Sequence, residues 1–291
     1  MLKKRGLVIG ILTAAAASGQ LVFLPGLSKL AADPGWRASS LVIALGAFLM
    51  VPLIYFFLKE DPQSINTTPY GAAEDWQPPV LQKGNAAKNA IQTLKDASKV
   101  RNFWYLVGSF FVCGLSTSGL IGTHFIPAAH DHGMMQVTAA SLLALIGVFD
   151  VIGTIFSGYL TDRIDPRKLL FFYYFLRGLS LFLLPSILFS SVEASTLVFV
   201  IFYGLDWVAT VPPTVLLCRQ VLGPDKGAVI YGWVFAAHQI GGSIAAIGAS
   251  LLRVKFGDYA SAFYITGILC VITSYFVLQI STPQTKERVK V

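Results

Sequence analysis

The sequence predicts an all-α membrane protein of eight transmembrane helices, and three observations carry that prediction. The first is a scarcity of charge. Of 291 residues, 55% are hydrophobic and only 13% are Asp, Glu, Lys or Arg, which is about half the charged fraction of a typical soluble domain. The second is the gathering of apolar residues into eight stretches, each close to the ~20 residues that cross a hydrocarbon layer. The third is the lopsided placement of Lys and Arg between those stretches. Together they exclude an ordinary soluble enzyme. The net charge of +7 does not point to nucleic acid, because the basic residues are scattered between apolar runs and form no single patch.

The spans follow in order. The first runs over residues 6–30, too long for a cleavable leader and without a clear cleavage site. The second covers 38–58. A polar interval, 59–102, comes next and holds Pro62, Pro69, Pro78 and Pro79, then a basic stretch Lys83–Arg101 with some helical character. It reads as a solvated cytoplasmic linker. The remaining six spans occupy 103–127, 136–160, 168–190, 196–219, 227–252 and 260–280, and residues 283–291 form a polar tail.

Seventeen basic residues fall on the side of the two termini and four on the other, with Arg177 inside a span. This bias places both termini in the cytoplasm of a cell (inner) membrane. An even number of spans demands the same. Cys113, Cys218 and Cys270 stand singly in apolar runs, with neither a disulfide framework nor a metal spacing.

The chain also repeats itself. Arg5-Gly6-Leu7-Val8-Ile9 parallels Lys226-Gly227-Ala228-Val229-Ile230, and Gly10, Gly19 and Gly35 fall on Gly232, Gly241 and Gly257 at a constant offset of 222. Tyr55-Phe56-Phe57-Leu58 then meets Tyr275-Phe276-Val277-Leu278, and Pro62-Gln63 meets Pro283-Gln284. The first two spans thus correspond to the last two, a same-orientation repeat six helices apart. On this reading residues 1–58 are the last two helices of a first half. Residues 59–102 link them to a complete six-helix half at 103–282, and 283–291 is the tail. The same offset expects ~120 further residues, four helices, encoded ahead of Met1.

The loop after the fourth span reads Gly158-Tyr159-Leu160-Thr161-Asp162-Arg163-Ile164-Asp165-Pro166-Arg167-Lys168. It resembles the cytoplasmic G-x-L-x-D-R-x-G-R-[RK] signature of the major facilitator superfamily. Asp165-Pro166 stands where that signature has Gly, so the tight turn must be built differently. The opening Arg5-Gly6, Gly10, Gly19 and Pro25 resemble the fifth helix of monocarboxylate-porter and oxalate/formate-antiporter-type members. By that resemblance Gly158, Asp162, Arg163 and Arg167 form a cytoplasmic gating latch. Asp162 lies at a helix C-terminus, where the dipole disfavours it. It is expected to pair with Arg163, Arg167 or the N-terminus of a neighbouring helix.

Ionisable side chains inside spans cost about 2.5–3.5 kcal/mol each on insertion scales and by default signal function. Four qualify: Asp150, Arg177, Asp206 and His238. Asp150, Asp206 and His238 each fall near mid-span, the depth of substrate and ion sites in carriers. Val148-Phe149-Asp150-Val151 resembles monocarboxylate-type porters, in which an Asp is followed one turn later by an Arg; here that position is Thr154. Arg177 is expected to hold Asp150 or a backbone carbonyl. Asp206 precedes Pro212-Pro213, a pair that should bend its span, and His238 could shuttle a proton. Tyr203, Trp207, Tyr231 and Trp233 could line a pocket.

His130-Asp131-His132 is a fragment of a metal set but reads as a solvated outer loop. No P-loop, HExxH or GxSxG motif is present, and nothing in the sequence points to a cofactor or metal.

The expected function is secondary transport of a small solute, by resemblance a small organic anion such as a monocarboxylate, driven by an ion gradient with the proton as the coupling ion. The competing expectation is a truncated membrane protein that does not transport, either a remnant or a subunit needing a partner.

Overall fold

The computed structural model describes residues 7–13, 35–59 and 85–281, with isolated positions at 15, 23, 26, 27, 30, 65, 67 and 68. Among the described residues every regular element is a helix, and seven helices are long and apolar enough to cross a membrane. They match the second to eighth expected spans to within a few residues. Residues 7–13 are helical; most of the remainder of the expected first span lies outside the described residues, as do Gly19 of the repeat and Pro25 of the fifth-helix resemblance.

Helix α1 (Trp36–Phe57) starts after Gly35, whose φ of 125° favours a residue without Cβ. Its most apolar window, of mean hydropathy 2.4, buries nothing, so its side chains suit lipid. Helix α2 (Ala86–Ala97) revises the expectation of a solvated linker. Asn85 caps it by accepting from the Ala87 and Lys88 N–H groups, and Trp233 donates its indole N–H to the Ala90 carbonyl at 3.1 Å. The second half of the polar interval is therefore a helix docked on the bundle.

Arg101–Asp131 is one span in three pieces: α3 (Arg101–Gly114), a π-helical segment Leu115–Ile121, and α4 (Gly122–Asp131). Wide turns of this kind open the helical ladder and often occur at functional positions. Here the Ser116 and Thr117 hydroxyls both donate to the Cys113 carbonyl at the head of the segment. Helix α5 (Gln136–Thr161) leads through a short turn to α6 (Pro166–Ile187).

The next span is broken into α7 (Ala194–Asp206) and α8 (Val211–Val221). The expectation of a proline bend is met in a different form. Pro212 and Pro213 lie in the first turn of a new helix, where a missing N–H costs nothing, and the break falls just before them. Helix α9 (Gly227–Phe256) ends at Gly257, whose φ of 88° is left-handed, and α10 (Ala260–Val277) completes the set.

In the bundle α6 packs along α10, α3 along α9, and α5 along α7. Two apolar clusters form. One gathers Phe125, Phe199, Tyr203 and Phe263. The other, nearer the basic loops, gathers Phe103, Phe110, Tyr174 and Leu217.

Candidate functional site

The buried charges meet at the α7–α8 break. A broken helix leaves backbone N–H and C=O groups without intrahelical partners, and inside a membrane bundle these must be satisfied by protein. Asp150 meets one such donor. Its Oδ1 accepts from the Val208 N–H at 2.9 Å and from the Thr154 hydroxyl at 2.8 Å. Thr154, which stands where the related porters carry Arg, thus hydrogen-bonds Asp150 from one turn along its own helix.

Arg177 meets the carbonyls. It is 1% exposed, so all five of its N–H groups need partners. Its Nη2 donates to the carbonyls of Asp206 and Trp207 at 2.6 and 3.2 Å, and its Nε donates to Asp206 Oδ2 at 2.6 Å. Nη1 donates to Cys113 Sγ at 3.2 Å and Ser116 Oγ at 3.3 Å. The expected carbonyl partner is present. The expected Asp150 partner is not the one found: Asp206 holds the guanidinium, because the break turns the Asp206 side chain, its own carbonyl and that of Trp207 toward α6.

Close packing makes this possible. A Cβ on Gly153 would overlap the Leu205 carbonyl, so glycine is what lets α5 approach the chain just ahead of the break. Farther along α5, the Ser157 hydroxyl donates to the Ala209 carbonyl at 2.5 Å.

His238 stands at the edge of this cluster. It lies midway along α9, half-buried, stacked on Phe235 with ring centroids 5.4 Å apart, and its Nδ1 is 3.1 Å from Gln239 Oε1. It lies beside Cys113, whose Sγ accepts from Arg177 Nη1. Tyr203 is almost fully buried and donates to the Ser116 carbonyl at 2.8 Å, so it supports the π-segment, and it also lines a cavity shared with Arg177 and Asp206. Sequence reasoning missed Cys113, Ser116 and Thr210, the last of which shares a 3.3 Å hydrogen bond with Cys113. Small polar residues in apolar helices gave no local signal that they would converge.

The signature loop forms a second cluster. Asp162 Oδ2 accepts from the Leu7 N–H at 3.2 Å, at the first described residue of the 7–13 helix. This is a backbone partner on a neighbouring helix, whose residues ahead of Leu7 lie outside the described residues. Gly10 packs on α5 close to Gly158, with a Cβ there falling 3.3 Å from the Gly158 Cα.

Arg163 folds over Tyr159, 3.6 Å from the ring centre. Asp165 accepts from the Arg167 N–H at 3.0 Å and pairs with its guanidinium at 2.6 Å, while Arg167 Nη1 reaches the Ile280 carbonyl at 3.0 Å. The turn that lacks the family's glycine is therefore built from an Asp N-cap followed by Pro166 at the head of α6. Partial burial raises the Asp165 pKa, but the N–H groups of Arg167 outweigh it and hold this carboxyl below its ordinary value.

On the opposite side, Asp131 gives both oxygens to Arg253 at 2.7 Å and His132 Nδ1 lies 2.8 Å from the Ala128 carbonyl. Asp131 thereby ties α4 to α9, while His132 bonds within its own helix end.

Comparison with known proteins agrees with this architecture. An uncharacterised transporter of the major facilitator type from Bacillus subtilis is 23% identical over 92% of this chain and 61% of its own length. Monocarboxylate transporter 12-B of Danio rerio is 24% identical over 96% of this chain and 61% of its own. The chain thus spans about three-fifths of the length of these relatives. Among solved structures, the Escherichia coli fucose:proton symporter shares the fold with a TM-score of 0.56 at 18% identity, over 87% of this chain and 55% of that one. The profile of the Major Facilitator Superfamily matches residues 2–246, and with that match the chain, an integral multi-pass membrane protein, belongs to this superfamily.

Proposed function

We propose that this chain carries the ion-coupling half of a secondary transporter for a small organic anion, driven by a proton gradient. One observation supports this above all: two acids and one base, Asp150, Asp206 and Arg177, are buried together at a break in a membrane span. With both carboxylates ionised the cluster carries one net negative charge and repels an anion. A single proton on Asp150 makes it neutral, so proton and anion are accommodated together.

The break at 207–210 and the π-segment at Leu115–Ile121 supply backbone that can rearrange without unwinding whole helices. His238, half-buried at the edge of the cluster, is the proposed entry point for the proton. The Gly158, Asp162, Arg163 and Arg167 loop is the proposed latch, made in one access state and released in the other. Both termini are proposed to face the cytoplasm.

The names of the curated relatives favour a monocarboxylate as solute. In proteoliposomes with an imposed inward proton gradient, the protein should accumulate a labelled monocarboxylate. Asp150→Asn should abolish gradient-driven uptake with expression and elution profile intact. Unchanged uptake by that variant would remove Asp150 from the coupling mechanism. No uptake by the unaltered chain would favour the non-transporting reading.

A further inference from the structure

A cavity of about 230 Å³ lies between α5, α6 and α7, lined by Gly153, Phe156, Tyr173, Arg177, Phe202 and Asp206 among others. Its rim and its floor differ in chemistry. Phe156, Leu176 and Phe202 at the rim are exposed on the outside of the bundle, where hydrocarbon is the surrounding solvent. Arg177 and Asp206 at the floor are almost wholly buried.

Asp206 Oδ2 is held by Arg177, but Oδ1 is the one buried side-chain nitrogen or oxygen without a partner among the described residues. A carboxylate oxygen shut away from water with no donor is costly. The site is therefore short of one hydrogen-bond donor.

We propose that this cavity is a lateral binding site for a neutral, hydroxyl-bearing amphiphile drawn from the bilayer, with Asp206 Oδ1 accepting its hydroxyl proton. The charge pattern selects the head group. An anion would be repelled by the carboxylates, and the guanidinium already supplies Asp206 with its countercharge, so what the site still needs is a hydrogen-bond donor, which a neutral hydroxyl provides. The volume selects the rest. One water occupies roughly 30 Å³ of liquid, so a single water satisfies the oxygen and leaves most of the space empty, while a short alkyl chain fills it and continues past the phenylalanine rim into lipid. An occupant there touches the Arg177–Asp206 pair from the flank and modulates whatever that pair does.

Photolabelling of the full chain in lipid nanodiscs tests the site, with a diazirine-bearing octanol compared with the matching diazirine-bearing octane. The alcohol should label peptides containing Phe156, Leu176 or Phe202 saturably, be displaced by 1-octanol, and exceed the alkane roughly three- to tenfold, the size of one net hydrogen bond. Ser180 also lines the cavity, and Ser180→Phe, which fills it without altering Arg177 or Asp206, should abolish the labelling. Equal labelling by the two probes, no labelling at these peptides, or labelling untouched by Ser180→Phe in folded protein each overturns the proposal. Should Ser180→Phe fail to fold, the alcohol–alkane comparison on the unaltered chain still decides.

Discussion

Arg167–Asp165 and Arg177–Asp206 are both closed at 2.6 Å, yet they stand in different solvents. The first joins residues two apart in a loop, with about a fifth of each side chain exposed. The second joins residues 29 apart, its guanidinium side chain wholly buried. In the loop, water shares the work: the pair shapes a turn, and its electrostatic energy is screened. Inside the bundle nothing replaces a lost partner, so the second pair holds two helices and a broken backbone together. Equal distances therefore conceal unequal consequences, because the cost of breaking a pair is set by what remains behind.

Arg177→Met should show this most strongly, since it leaves Asp206 buried and unpaired. A loss of roughly 3–5 kcal/mol is expected, read as a large fall in thermal-unfolding midpoint in detergent. Arg177→Met combined with Asp206→Leu should recover most of that loss, and a double variant as unstable as the single would contradict the account.

Gly153→Ala attacks the same region through packing. Forcing α5 away from the Leu205 carbonyl should cost about 1–3 kcal/mol and loosen the Asp150–Val208 contact, visible as faster hydrogen exchange at residues 207–210. Unaltered exchange would mean the helices have room to separate.

In the loop the effects shrink. Asp165→Ala removes an N-cap and should cost about 0.5–2 kcal/mol. Arg167→Ala removes only a partly exposed pair and a carbonyl contact, and should stay near 1 kcal/mol or below. A larger effect from Arg167→Ala than from Asp165→Ala would reverse the ranking of cap over charge.

The smallest effect is one of pH. Asp165 has a folded pKa below its ordinary value, so its contribution is complete above the unfolded carboxylate pKa, near 3.9. It is lost as pH falls below that toward the lowered folded value. Unfolding midpoints followed from pH 6 down to 3 should therefore decline less steeply at the acid end in Asp165→Ala than in the unaltered chain.

Much of the architecture was legible because bilayer thickness and charge placement impose one-dimensional rules. Apolar run length gave seven spans that the described helices match, and the Gly158–Lys168 signature gave the family that the profile match establishes. The depth of Asp150, Arg177 and Asp206 followed from counting residues along helices. Their pairing did not. Which acid holds Arg177 depends on a helix break that positions Asp206 and its neighbouring carbonyls, and on Gly153 letting α5 close against that break. Cys113, Ser116 and Thr210 were invisible for the same reason, since a small polar residue in an apolar helix acquires a role only from what faces it.

The sequence by itself therefore determined which segments enter the membrane, because transfer into hydrocarbon depends on each segment's own side chains. Tertiary structure alone decided who satisfies whom inside it. In a solvent without hydrogen bonds, every buried polar group must find its partner on another part of the fold.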